Sequence, residues 1–212
     1  MKFALFIVLL WGTVLLSAAA PMVKRIPIDP LSAWNEHSFK GKTSYQLVEE
    51  YGQLSIKAVS MGTASGLVKK VSVNLDQTPY LHWRWRVDGV LDHPDEQSKQ
   101  GDDYPARIYV VKDGGWALWR TRSINYVWSS SQPEGSVWPN AYTEQSMMVA
   151  VRSGVPIDPS RWVTERRNLR EDFKRLFGKD VHQIDLVALM TDTDNTGSNA
   201  TAWYGDIYFS SE

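Results

Sequence analysis

Period-two alternation, dense aromatic content and a single helical stripe predict a mostly β protein: a single-domain β-sandwich, jelly-roll-like, with one amphipathic helix near residues 159–177. The chain has 212 residues, 43% apolar and 12% aromatic, among them ten Trp. That is enough apolar surface to bury one large core. Lys and Arg (23) nearly balance Asp and Glu (24), for a net charge of −1. Such a balance gives no general attraction to nucleic acid or to an anionic membrane surface. The absence of cysteine excludes disulfides, thiolate metal sites and a Cys nucleophile.

Lys2 precedes an apolar stretch over residues 3–16, and Ser17, Ala18, Ala19 and Ala20 are the small residues a signal peptidase reads. Residues 1–20 are therefore read as a signal peptide and the mature protein as periplasmic or secreted, with no membrane span left after cleavage. Residues 21–42, with Pro21, Pro27 and Pro30, read as a lead-in segment, and 43–212 as the sandwich domain.

From Thr43 the alternation begins. Tyr45 and Leu47, then Leu54, Ile56 and Ala58, alternate with polar neighbours as half-buried strands do. Residues 64–66 read as a break, and 67–73 alternate again. Residues 80–87 form the clearest strand: Leu81, Trp83, Trp85 and Val87 share the core face, and His82, Arg84 and Arg86 share the other. An acidic, turn-rich stretch follows over 88–103. Strands are then predicted at 106–111, 117–120, 124–128 and 146–151, with a loop over 129–140.

Asp158-Pro159 is a helix start signal. Leu169, Phe173, Leu176 and Phe177 make one apolar stripe, and Gly178 closes it. Residues 184–190, apolar apart from Asp185, suggest a strand covered on both faces. A turn at 191–200 leads to a closing strand over 203–209.

Three motifs in this order, LHWRWRV (81–87), GDDYPARIYV (101–110) and MTDTDNTG (190–197), with ERRN (165–168) before a helix ending in Phe177-Gly178, resemble an exported bacterial domain-of-unknown-function family, the one numbered 3047. The resemblance spans roughly residues 34–209. It implies a secreted sandwich-type domain and carries over no activity and no site residue.

Four constellations could carry chemistry. Asp192, Asp194 and Thr196, ahead of Gly197, follow the odd-position oxygen pattern of a Ca²⁺ loop, although Trp203 at the twelfth position excludes an EF-hand. The alternative is an Asx-rich turn. Asp102 and Asp103 with Arg84, Arg86 and Arg107 form either a polar cleft for an anionic or hydroxyl-rich ligand or ion pairs pinning the acidic loop to the sheet. Trp116 beside two glycines and Trp138 in a loop are read as exposed platforms on which sugar rings stack. Asp102, Asp103 and Glu165 are candidates for glycoside hydrolysis. The histidines at 37, 82, 93 and 182 show no zinc spacing.

The reading that follows is an exported, non-catalytic, ligand-binding module of the cell envelope, with a glycan as ligand and Ca²⁺ as cofactor. The alternatives are a structural or protein-interaction domain, or a polysaccharide-active enzyme using paired carboxylates. N-terminal sequencing of the secreted protein should return a chain beginning at Ala20 or Pro21; an intact Met1 would remove the leader.

Overall fold

A computed structural model describes residues 20–50, 52–92 and 95–212. The leader, Ala20 apart, lies outside the described residues, as does His93. In chain order the strands are β1 (Val23–Arg25), β2 (Asn35–Lys40), β3 (Ser44–Glu50), β4 (Gln53–Met61), β5 (Ala64–Asn74), β6 (Tyr80–Val87) and β7 (Tyr104–Lys112). They continue as β8 (Arg122–Ser129), β9 (Val137–Asn140), β10 (Thr143–Ser153), β11 (Val163–Asn168), then helix α1 (Leu169–Phe177), β12 (Gln183–Asp192) and β13 (Asn199–Ser210). One sheet runs β11-β6-β13-β4-β3, with β1 added to β13, and the other runs β2-β5-β12-β7-β8-β10-β9. The two sheets pack face to face as a β-sandwich.

The alternation in β6 does what the sequence predicts. Leu81, Trp83, Trp85 and Val87 are buried in the space between the sheets. Trp83 stacks on Tyr126 of β8 at 5.3 Å and meets Trp85 edge-on at 5.4 Å, and Trp85 reaches Trp128 of β8 at 6.0 Å. Ile108 and Val110 of β7 and Val187 and Leu189 of β12 complete this core from the seven-stranded side. The odd residues of β7, Arg107 and Tyr109, therefore point away from it.

Several boundaries differ from the sequence reading. The helix starts at Leu169, ten residues later than Pro159. Asp158 caps only a tight turn, accepting from Ser160 N, because residues 163–168 are taken up by pairing with β6. The helix cap is Asn168, whose side chain accepts from Glu171 N, and Gly178 closes the far end with φ 63°. Residues 64–66 are no break, since β5 begins at Ala64. The lead-in segment supplies β1 and β2 to the two sheets, so the sandwich starts before Thr43. Residues 118–120 are a 3₁₀ turn and no strand. Among the described residues no helix is long and apolar enough to cross a membrane.

Trp83→Ala should lower unfolding free energy by about 3–5 kcal/mol in urea titrations. A loss below about 1 kcal/mol would show that β6 does not face the core.

Candidate functional site

The outer face of the seven-stranded sheet carries a groove of about 580 Å³. All seven strands contribute to it: Phe39 from β2, Ala64 from β5, Met190 and Asp192 from β12, Arg107 and Tyr109 from β7, Ser123 from β8, Asn140 from β9, and Thr143 and Ser146 from β10. Loop residues Asp102, Tyr142, Asp194 and Asn195 complete the walls.

Its floor is charged. Arg107 is 3% exposed and its guanidinium holds Asp192, with Asp102 at 3.7 Å on its other side. Asn140 Nδ2 donates to both Asp102 oxygens at 3.2 Å. Asp103, also buried, accepts from the backbone N–H groups of Asn195 (3.3 Å) and Thr196 (2.7 Å). This ties the acidic 88–103 loop to the 193–197 turn, where Gly197, at φ 67°, donates to Thr193 O. Above the floor, Tyr142 Oη donates to Asn195 Oδ1 at 3.2 Å.

Asp103, Asp192 and Asp194 bring carboxylate oxygens within 4.8 Å of one another, an arrangement that could hold a metal ion. Burial pushes the Asp192 carboxyl well above the usual carboxylate range against the pull of Arg107, and the neighbouring Asp103 and Asp102 push the same way. Asp102 and Asp194 are raised too, again by burial first; for Asp194 the charge of Asp103 comes next. Asp192 Oδ1 and Arg107 Nε are buried without a hydrogen-bond partner.

The sequence candidates divide. Arg107, Asp102, Asp103, Asp192 and Asp194 do converge on one site. Thr196 sits in the same turn but serves it through its backbone N–H, while its hydroxyl accepts from Ser198 N. Arg84 and Arg86 belong to the opposite face, on the outside of the six-stranded sheet. There Arg84 pairs with Asp206 at 2.6 Å and Arg86 with Glu50, and both stack on Trp162. Gly205 leaves room there for the guanidinium: a Cβ would sit 3.1 Å from Arg84 Nε. The three arginines therefore do not form one anion-binding face.

Trp138 is a correction of a different kind. It is 4% exposed, packed with Tyr104, Val127, Met148 and Ala150, because residues 137–140 pair with β10. Trp116 is 87% exposed, as expected, but does not line the groove. Glu165 is bound by Arg152 and by Trp85 Nε1, away from Asp102 and Asp103. Sequence reasoning missed Tyr109, Tyr142, Asn140 and Asn195. Tyr109 was visible as the face partner of Arg107; Asn140 ends the edge strand β9, and Tyr142 and Asn195 lie in turns, all three placed by long-range pairing.

Residues 32–208 match the family "Protein of unknown function (DUF3047)", and the chain belongs to that family. No curated protein matches the chain. Among solved structures it is similar to the family 11 carbohydrate-binding module of the cellulosomal cellulase Lic26A-Cel5E of Clostridium thermocellum, at 10% identity and TM-score 0.48, covering 91% of this chain and 95% of that one. It is also similar to the family 30 module of Cel9D-Cel44B from the same organism (12%, TM-score 0.46, 85% and 92% covered). A third is a cellulase derived from Cel12A of Rhodothermus marinus (8%, TM-score 0.45, 90% and 100% covered).

The raised carboxyls carry a pH dependence. A carboxyl whose pKa is higher in the folded than in the unfolded state favours folding when protonated, and that contribution is lost as pH rises through the folded value. Asp194→Asn, neutral throughout, should therefore raise the melting temperature at neutral pH in EDTA. Its advantage over the wild type should shrink as pH falls from about 7 to about 4 and the wild-type carboxyl is protonated. A variant less stable than wild type at pH 7 would mean Asp194 is held by favourable contacts instead.

Proposed function

We propose that this DUF3047 protein is an exported, non-catalytic module that binds an extended polysaccharide along the groove of its seven-stranded sheet. The observation that carries the reading is that one groove draws side chains from all seven strands. Strands spaced about 4.8 Å apart make such a path roughly 29 Å long, the length of several linked sugar rings and far more than a small metabolite needs. Its lining suits sugars: Ser123, Asn140, Ser146 and Asn195 offer hydrogen bonds, and Phe39, Tyr109 and Tyr142 offer apolar ring faces. Phe39 and Tyr142 are 68% and 57% exposed, so stacking a sugar on either would remove apolar surface from water.

The charge balance favours a neutral chain. Arg107 is the only cation among the groove-lining residues, and Asp192 and Asp102 already occupy it. The same reading assigns Ca²⁺ to Asp103, Asp192 and Asp194 as the counter-ion of this acidic floor. Hydrolysis is the weaker alternative. It needs two carboxyls facing each other across the bond, one of them reaching water or the anomeric carbon. Here Asp102 and Asp192 converge on the same guanidinium, and Asp192 is 1% exposed.

A second reading rests on the tip of the β7–β8 connection, where Trp116, Leu118 and Trp119 stand 87%, 72% and 61% exposed. Three large apolar side chains on one loop suit a protein partner.

Calorimetry with cellohexaose, xylohexaose and mannohexaose, against their disaccharides, tests the groove. At least one hexasaccharide should bind more tightly than about 1 mM and its disaccharide far more weakly. Tyr142→Ala should then weaken binding roughly five- to tenfold, equal to about 1–1.4 kcal/mol of lost stacking. Replacing Trp116 and Trp119 together by alanine should leave that affinity unchanged. A loss there would move the sugar site to the loop.

A further inference from the structure

We infer that the cation held by Asp103, Asp192 and Asp194 is itself part of the ligand contact, bridging the groove floor to a pair of adjacent hydroxyls on the polysaccharide. The inference rests on the groove reading and adds a specific mode of recognition to it.

Two oxygens on one Ca²⁺ at 2.3–2.6 Å stand at most about 5.2 Å apart. The carboxylate oxygens of the three aspartates lie within 4.8 Å of one another, so one ion can serve all three. A second observation points to a ligand there. Asp192 is 1% exposed and its Oδ1 has no hydrogen-bond partner, although its other oxygen is held by Arg107. An acceptor buried without a partner is costly unless a cation or a donor meets it. Asp192 and Asp194 both line the groove, so a cation shared by the triad lies at its floor.

The coordination count then implicates the sugar. Ca²⁺ takes six to eight oxygens, and the three aspartates offer one ligand atom each. Part of this set is already engaged: Arg107 holds Asp192 Oδ2, and the backbone N–H groups of Asn195 and Thr196 each donate to one Asp103 oxygen, which leaves these carboxylates little capacity for bidentate coordination. That leaves about three to five coordination positions for oxygens from solvent or ligand, at a site whose Asp192 and Asp194 line the groove. Neighbouring sugar hydroxyls are hard, neutral oxygens at a spacing that can fill two of these positions. This selects glycans with an unsubstituted vicinal hydroxyl pair.

The test is calorimetry on the full mature chain, first with CaCl₂ alone, then with the best-binding hexasaccharide in EDTA and in saturating CaCl₂. Calcium alone should raise the melting temperature by about 3–6 °C at roughly tenfold excess over its Kd. Glycan affinity should rise about tenfold or more from EDTA to calcium. Asp194→Asn, at a half-buried position and so expected to fold, should abolish both calcium effects while keeping the weak calcium-free affinity. Asp206→Asn, on the outer face of the opposite sheet, should retain them. Equal glycan affinity in EDTA and calcium, whether or not calcium itself binds, overturns the bridging inference and leaves the groove reading standing. Failure of every hexasaccharide to bind in either condition overturns the groove reading, and this inference with it.

Discussion

Trp83 and Trp85 of β6 meet Tyr126 and Trp128 of β8 in the space between the sheets, and the sidedness of the neighbouring strands follows from that contact. Once these four rings face inward, the period of two sends Arg84 and Arg86 out of one sheet and Ser123 and Asn125 out of the other. Register then carries the choice across. Ile108 pairs with Tyr126 and with Leu189, all three facing the core, so Arg107 pairs with Met190 on the outer face. The helix is tied to the same contact: Tyr126 Oη donates to Asp172 at 2.7 Å, and Arg167 grips that carboxylate with two nitrogens. A one-residue slip of β7 would turn Arg107 into an apolar core and Ile108 into the groove.

The two outer faces use charge differently. On the six-stranded sheet, Lys57, Trp203, Arg86, Trp162 and Arg84 form an alternating stack, Arg86 lying 3.5 Å from the Trp203 centroid. Arg84 and Arg86 are covered by rings and paired with Asp206 and Glu50, so each of these two guanidiniums has its own carboxylate. On the seven-stranded sheet the acids outnumber the cation they surround. A buried ion pair contributes little net stability compared with apolar packing of the same volume. The Arg107–Asp192 pair is therefore poorly explained as a stabilising device, and better explained as a way of holding a carboxylate at the floor of an open groove.

The layers of this fold were legible where burial is one-sided. In β6 each face has one chemical character, and the aromatic and arginine sets separate cleanly. Legibility failed where a long-range partner decided the outcome. Residues 137–140 look like a loop, with a proline beside Trp138, yet pairing with β10 makes them an edge strand and buries the indole. Asp158-Pro159 carries a sound helix start, but competition from β6 claims residues 163–168 and delays the helix. The site divides in the same way. Asp192 and Asp194 announce themselves by local spacing. Asp103, 91 positions before Asp194 in the chain, joins them only because its oxygens dock on the 195–196 backbone.

That docking also explains why the acidic cluster tolerates its own repulsion. Both Asp103 oxygens accept oriented N–H groups of the 193–197 turn, a fixed dipolar environment that holds the carboxylate close to Asp192 and Asp194. Burial and the neighbouring carboxylates raise the carboxyls of Asp192 and Asp194. The arrangement is one in which the folded chain spends stability to keep three carboxylates within reach of one point at the edge of an open groove. Elsewhere in the protein such tension is removed by a partner: Asp172 has two arginines and Tyr126, and Glu165 has Arg152 and Trp85. At the floor of the seven-stranded sheet Asp102, Asp103, Asp192 and Asp194 gather around the single guanidinium of Arg107. A positive charge arriving from solution has the most to gain there.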